Sequence, residues 1–196
     1  MTRHLQELHI SITQERDERV PDHDYERAEL RTFPAYFCSE WLNPISANLR
    51  ALSVYHRADS WGSFPGYFDF RGLAFPKLET LALAYYTLAH DNDLDWVFAI
   101  KSLRKLILHN CMIASKIRID SEAMEQWKVR THDWARLPDE DQNEWTDGFT
   151  YGGKWSQCLD RIGSELPNLV DFRLDEASLY ASSCYGYQDG ELQYGT

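Results

Sequence analysis

The feature that most constrains this chain is a short apolar pattern, L-x-x-L-x-L, that recurs along it. Its copies place an apolar residue at the first, fourth and sixth positions. They are Leu5-Leu8-Ile10, Leu49-Leu52-Val54, Leu78-Leu81-Leu83, Leu103-Leu106-Leu108 and Leu169-Phe172-Leu174. The x-L-x-L centre alternates with period two, as a strand with one buried face requires. The pattern therefore predicts five strands that each bury one row of side chains.

The spacing of the copies is typical of a repeat protein in the middle of the chain and irregular at its ends. Leu49 and Leu78 are 29 residues apart, and Leu78 and Leu103 are 25 apart, both within the leucine-rich-repeat range. The first gap is 44 residues and the last is 66 residues. We interpret the wide gaps as insertions or degenerate repeats.

Turn signals and helical patterns surround the predicted strands. Pro76 and Pro167 come just before two of them. Apolar residues at Trp155, Leu159, Ile162 and Leu166 predict one helix face, and Leu94, Val97 and Phe98 predict a shorter one. A helix packed on a strand and repeated along the chain is one turn of an α/β solenoid.

These observations predict an α/β fold, an irregular leucine-rich-repeat solenoid with parallel strands on its concave face and helices on its convex face. We expect one domain over residues 1–178, with a Trp-rich insertion at about 115–153. Residues 179–196 are expected to form a polar tail without fixed structure.

The chain resembles the leucine-rich-repeat region of fungal F-box proteins. The resemblance is carried by FPKLETLAL at 75–83, SLRKLILHNCMI at 102–113 and WSQCLDRIGSELPNLVDFRL at 155–174. It implies an intracellular protein that recognises the substrate of a ubiquitin ligase by protein–protein binding. The F-box module itself is not found in this chain; Leu137-Pro138-Asp139-Glu140 matches only its opening residues. The alternative is a free-standing leucine-rich-repeat scaffold, or a truncated relative, with no link to ubiquitin.

If the solenoid is correct, the residues that alternate with the buried ones point outward from the sheet and form the binding face for a protein partner. An apolar centre with a polar rim is typical of an interface. The predicted face comprises Glu7, His9, Ser11, Ala51, Ser53, Tyr55, Thr80, Ala82, Ala84, Lys105, Ile107, His109, Asp171, Arg173 and Asp175.

Composition excludes several other classes of protein. The content of apolar (43%) and aromatic (14%) residues is too high for a disordered chain, and the net charge of −11 argues against a nucleic-acid partner. The longest apolar run is too short to span a bilayer, and polar residues follow Met1, so neither membrane insertion nor secretion is expected. Four scattered cysteines fit reduced thiols in the cytoplasm or nucleus. We expect the chain to be a monomer by itself.

The Trp-rich insertion carries Trp127, Trp134 and Trp145 in an acidic, polar context. We predict a helix over 121–136 with Ser121 as its N-cap. The tryptophans of the insertion could bind a partner protein, but we favour the interpretation that they fold back onto the core. The aromatic residues Phe33, Phe37 and Trp41, spaced by four, are also predicted to be core.

Catalytic patterns do not support an enzyme. Glycine-rich phosphate loops and nucleophile elbows are not found, and the histidines and cysteines lack zinc-site spacings. His132-Asp133 is a pair found in metal-dependent phosphohydrolases, but it stands without further ligands nearby in sequence. A nucleophile pair of Cys111 with His109 is disfavoured, because Cys111 is better explained as a buried residue of the repeat. We therefore expect no catalytic residues, cofactor or metal, and keep an enzyme of unrecognised fold as a remote alternative.

Overall fold

A computed structural model describes residues 4–12, 28–56, 61–63, 67–126, 128–138, 147–175 and 193–194. The chain is mixed α/β, and its main feature is a parallel sheet of five strands. The strands are β1 (Glu7–Ile12), β2 (Ala51–His56), β4 (Thr80–Ala84), β6 (Lys105–His109) and β10 (Asp171–Asp175). They lie side by side in chain order, and all four pairings are parallel. The five strands predicted from the apolar pattern are confirmed.

The same hydrogen-bond arrangement starts each strand after the first. The carbonyl of Arg50 accepts hydrogen bonds from the backbone N–H groups of Glu79 and Thr80, at 2.8 and 3.0 Å. The carbonyls of Gln6, Glu79 and Arg104 each accept two equivalent bonds from the next strand along. Because the arrangement recurs at equivalent residues, the strands keep one register across the sheet.

A tight turn of equivalent geometry precedes three of these strands. The N–H of Leu78 donates to the carbonyl of Phe75, that of Leu103 to Ile100, and that of Leu169 to Leu166. Pro76 and Pro167 occupy the second position of two of these turns, where their fixed φ angle is favourable. The predicted turn signals therefore mark real chain reversals.

The core is built from the alternate residues of the sheet. Leu52, Leu81 and Leu106 are paired across neighbouring strands, and each is at most 1% exposed. Val54, Leu83 and Leu108 form a second buried row. Burial of apolar surface of this kind is the main stabilising contribution to a fold. At the first strand, Leu8 and Ile10 are only partly buried and Leu5 is exposed, because β1 has a neighbouring strand on one side only.

A second sheet is formed by strands that alternate with those of the first along the chain. It contains β3 (Trp61–Gly62), β5 (Tyr86–Leu88), β7 (Met112–Ile119), β9 (Asp147–Thr150) and β8 (Ala135–Arg136) in that order, and β11 (Gln193–Tyr194) pairs with β7. Strands β3, β5 and β7 are parallel, and each comes shortly after a strand of the five-stranded sheet. The strands β8, β9 and β11 pair antiparallel. Much of the Trp-rich insertion therefore extends this sheet.

The helices are short and lie between strands. They are α1 (Ala28–Tyr36), which continues into a π-helix (Phe37–Leu42), a 3₁₀ turn (Ser46–Asn48), α2 (Asp95–Phe98), α3 (Ser121–Gln126) and α4 (Trp155–Glu165). Among the described residues, no helix has both the length and the apolar character needed to cross a membrane.

Three helix predictions need correction. The segment 121–136 is helical only over α3, and the N-cap is Asp120, whose carboxylate accepts the N–H of Ala123 at 2.7 Å. On α4, Cys158 packs against the core whereas Leu159 is exposed, so the buried face is rotated from the predicted one. Trp41, which was predicted to be core, is 50% exposed, although its ring still contacts that of the buried Phe37 with the centroids 6.2 Å apart.

Within the insertion, Trp134 folds back onto the second sheet. Its indole N–H donates to the carbonyl of Ala89 at 2.7 Å, and its ring stacks on Tyr151 at 5.4 Å. Trp127 and Trp145 lie outside the described residues, as does most of the tail 179–196. The described part of the insertion is thus attached to the core by an aromatic side chain.

Candidate functional site

The outward face of the five-stranded sheet consists of three rows of side chains, which the register defines. Glu7, Ala51, Thr80, Lys105 and Asp171 form the first row. His9, Ser53, Ala82, Ile107 and Arg173 form the second, and Ser11, Tyr55, Ala84, His109 and Asp175 form the third. These are the residues predicted to point outward, and the structure brings all of them to one face of the sheet.

Most of these side chains are partly or fully accessible, which distinguishes them from the buried leucines between them. Ser53, Ala82 and Ile107 form a small, apolar centre that is partly buried, while His9 and Arg173 at the ends of the row are exposed. The face therefore combines a partly buried middle of small or apolar side chains with charged ends, a pattern common at protein-binding surfaces.

One predicted face residue is not accessible. Ala84 is only 7% exposed, although it occupies an outward position on β4. The next residue, Tyr85, has a left-handed φ of +61°, and its ring contacts Tyr55 at 5.6 Å and His109 at 6.1 Å between ring centroids. The Tyr85 ring therefore lies beside Tyr55 and His109, the two neighbours of Ala84 in the third row.

Tyr85 is thus a face residue that the strand alternation did not predict. Strand alternation assigns it to the buried side, but the backbone leaves the strand at this point, and its N–H donates to the carbonyl of His109. Asn110 takes an equivalent place one repeat later, with φ +49° and an N–H bonded to the carbonyl of Asp175. In the sequence, Tyr85 and Asn110 are related only by their spacing of 25 residues, which equals the spacing of Leu78 and Leu103.

Charges on the face are paired at its C-terminal end. The carboxylate of Asp171 accepts hydrogen bonds from Arg173 at 3.1 Å and lies 3.2 Å from the ammonium of Lys105. Hydrogen bonds from Arg173 and Lys105 lower the pKa of Asp171 below its usual value. His109 lies 4.0 Å from Asp175. Exposed pairs of this kind contribute little to stability, but they define the electrostatic rim of the face.

A separate polar cluster lies where β5 ends and the segment 128–134 packs against it. His90 Nδ1 lies 2.6 Å from Asp133 Oδ1, and the other carboxylate oxygen of Asp133 accepts the N–H of Asp91 at 3.0 Å. The His132 ring stacks on the His90 ring with their centroids 5.0 Å apart. Burial raises the pKa of Asp133, but hydrogen bonds from His90 and Asp91 outweigh it, so that the pKa is lowered overall.

A cavity of about 280 Å³ opens beside this cluster. It is lined by apolar residues of the second sheet, including Leu88 and Ile113, and by Tyr151, Lys154, Cys158 and Arg161 near α4. Two of its polar groups are already engaged. The Tyr151 hydroxyl donates to Asp91 at 2.8 Å, and the Arg161 guanidinium lies 2.8 Å from Asp95. The cavity is small for a ligand pocket.

The described cysteines lie in the core or against it: Cys38 is buried, and Cys111 and Cys158 are partly buried. The Cys111 thiol lies 3.5 Å from the carbonyl of Leu83, and burial raises its pKa to about 12. Burial likewise raises the pKa of Cys38 to about 12. A thiol in this state is a poor nucleophile, since the thiolate is the reactive form.

Comparison of the chain with models of known protein families, with curated proteins and with solved structures finds no significant match.

Proposed function

We propose that this chain is a leucine-rich-repeat solenoid that binds a protein partner on the outward face of its five-stranded sheet. In this proposal each repeat consists of a turn, a strand of that sheet and a return segment, and the outward face is the concave surface. The role resembles that of the substrate-recognition region of fungal F-box proteins, and we expect the protein to act in the cytoplasm or nucleus.

The observation that carries the proposal is the recurrence of one backbone arrangement at every strand. Equivalent carbonyls accept paired hydrogen bonds at the start of β2, β4, β6 and β10, and equivalent turns precede three of these strands. In addition, β2, β4 and β6 are each followed by a strand of the second sheet, stacked in the same order. A chain that advances by one strand per coil with fixed register is typical of a solenoid.

The chemistry of the outward face favours a polypeptide as the ligand. Its centre holds small and apolar side chains, and Tyr55 and Tyr85 present aromatic rings with polar tips, a combination common at protein interfaces. Acidic and basic groups alternate at the C-terminal end. A small uncharged metabolite would find no enclosing walls on such a face, whereas a protein surface covers it without them.

A pair of matched substitutions tests the proposal. Ser53→Arg places a long cation in the middle of the face, and Ser164→Arg makes the same chemical change on exposed α4. Proteins retained by the immobilised wild-type chain are quantified by mass spectrometry. We expect a partner to be lost with Ser53→Arg and kept with Ser164→Arg. Equal retention by both variants would place binding elsewhere.

The ubiquitin-ligase role is tested separately. The adaptor subunit of such ligases binds the F-box and not the repeats, so the present chain should not retain purified adaptor. Co-purification of adaptor and other ligase subunits with the partner captured on the outward face would support the F-box resemblance. A partner set without ligase subunits would favour the free-standing scaffold.

A further inference from the structure

We propose that His90, His132 and Asp133 form a binding site for a divalent first-row transition metal, with Zn²⁺ as the favoured ion. The three side chains come from two segments. His90 lies just after β5, and His132 and Asp133 lie in the loop 128–134. One ligand atom from each lies within 4.8 Å of the other two. Two imidazole nitrogens and one carboxylate oxygen are a donor set that suits zinc, cobalt and nickel.

Burial favours two of the three ligands as a fixed base for the site. The His90 side chain is 2% exposed and that of Asp133 is 14% exposed. Both are already held in place by the 2.6 Å contact between them. The third ligand, His132, is 61% exposed and lies 3.9 Å from Asp133, so an ion can reach the site from solvent. Open coordination positions would be filled by water.

The ring geometry defines what must move when an ion binds. The planes of His90 and His132 are only 14° from parallel, so their nitrogen lone pairs do not point at one position. Rotation of the exposed His132 ring about its side-chain bonds directs a nitrogen toward Asp133. Such rotations are fast for exposed side chains. An ion held by both His90 Nδ1 and Asp133 Oδ1 also takes the place of the hydrogen between them, so these two atoms must move apart from their present 2.6 Å.

Hydrogen bonds around the cluster fix its backbone. Asp133 accepts the N–H of Asp91, and the partly buried Asp93 carboxylate accepts the N–H groups of Ala89 and His90 at 2.6 and 2.8 Å. Supporting hydrogen bonds of this kind orient metal ligands and commonly change metal affinity when they are removed.

The local charge also favours a cation. Three carboxylates, those of Asp91, Asp93 and Asp133, lie in the segments that build the cluster. The cationic Arg130 is drawn instead to the face of Tyr67, with its guanidinium carbon 4.4 Å from the ring centroid. Because the chain carries a net charge of −11, its overall potential also attracts divalent ions.

The experiment titrates the full chain with Zn²⁺ by calorimetry and with Co²⁺ by visible absorption. His132→Ala is the decisive variant, because it removes one ligand and leaves the His90–Asp133 hydrogen bond intact. His4→Ala is the matched control, since His4 is also an exposed histidine and belongs neither to this cluster nor to the outward face. Thermal unfolding without metal checks that both variants fold like the wild type.

We expect the wild type to bind one ion, to develop cobalt d–d absorption and to unfold at a higher temperature with Zn²⁺ present. His132→Ala should lower the affinity by at least about tenfold, whereas His4→Ala should leave it unchanged. Equal binding by His132→Ala and the wild type would overturn the proposal, as would absence of binding by the wild type. In both cases the His90–Asp133 contact acts only as a hydrogen-bonded anchor.

Discussion

The two sheets of this molecule differ in how their strands are held. In the five-stranded sheet, the three central strands β2, β4 and β6 bury the same alternate positions, and aliphatic side chains from neighbouring strands pack in straight rows. In the second sheet the strands are uneven in length and mixed in direction, and aromatic or polar side chains make specific contacts. The Trp61 indole, for example, donates to the carbonyl of Ala84 and packs on Tyr86.

This difference shows which property of the sequence specifies each sheet. A row of buried aliphatic side chains requires only that apolar residues occur at alternate positions of each strand. Many sequences meet this requirement, so one aliphatic residue can replace another of similar volume. The second sheet depends on individual groups that need one partner each, such as an indole N–H and a given carbonyl. Substitutions in the first sheet should therefore destabilise the fold by removing buried side-chain volume. Substitutions in the second sheet should destabilise it by breaking a specific hydrogen bond or backbone contact.

The largest effect is expected at the centre of the five-stranded sheet. Leu81→Ala removes a fully buried side chain between Leu52 and Leu106 and should lower the free energy of unfolding by about 2–5 kcal/mol. Thr80→Ala, one residue earlier on the outward face, should change it by less than about 0.5 kcal/mol. Urea denaturation measures both. Similar losses for the two variants would break the distinction between the faces of β4.

In the second sheet, Gly62 should be sensitive to the smallest side chain. Its φ is +110°, and an added Cβ would lie 2.8 Å from the backbone oxygen of Thr87. Gly62→Ala is expected to cost about 3 kcal/mol, from backbone strain and this contact together. Gly72, at φ +89°, has open space around it, so Gly72→Ala should cost only about 1–2 kcal/mol. Equal costs would mean that the close approach of β3 to β5 is unimportant.

The Asp133 anchor should show a pH dependence. Asp133→Asn weakens its hydrogen bonds with His90 and Asp91 and should cost about 1–2 kcal/mol at neutral pH. The pKa of Asp133 is lower in the folded chain than its usual value, so its contribution is present above about pH 4 and is lost as the pH falls through the folded pKa. Stability curves of wild type and variant should therefore converge in acid. A constant difference down to pH 2 would contradict this assignment.

The smallest effect concerns the tryptophan that fixes the insertion. Trp134→Phe keeps an aromatic ring but loses the hydrogen bond to Ala89, with an expected cost of about 0.5–1.5 kcal/mol. Trp41→Phe, at a half-exposed position, should cost less than about 0.5 kcal/mol. Hydrogen exchange of the Ala89–Asp91 backbone provides a local readout. Unchanged exchange in Trp134→Phe would show that the indole does not hold the insertion.

The five-stranded sheet could be predicted from the sequence because its cause is periodic. The alternation around Leu52, Leu81 and Leu106 sets which face is buried, and a shift of one residue would expose every leucine. The outward rows follow from the same alternation, with Ala84 as the exception. There, the left-handed backbone at Tyr85 brings a ring back to the face, and local periodicity contains no information about such a turn.

The polar cluster could not be predicted, because its members are distant in sequence. His90 and Asp133 are 43 residues apart, and the pair His132-Asp133 has no neighbours with ligand spacing. The buried face of α4 was assigned wrongly for a different reason. Leu159 is the more hydrophobic residue, but helix orientation is set by Ile162 and Leu166 together, which places Cys158 inside. Both the assembly of the polar cluster and the orientation of α4 depend on tertiary packing, which local sequence patterns do not contain.

The paired hydrogen bonds at the start of each strand also bear on how such a chain can change its length in evolution. Strand β10 docks on β6 without a shift in register, although 61 residues separate His109 from Asp171. Because alignment is determined where a strand begins, the connecting segment is free to grow, and the entropy cost of a longer closed loop increases only logarithmically. New surfaces can thus be added between strands while the older scaffold stays in place.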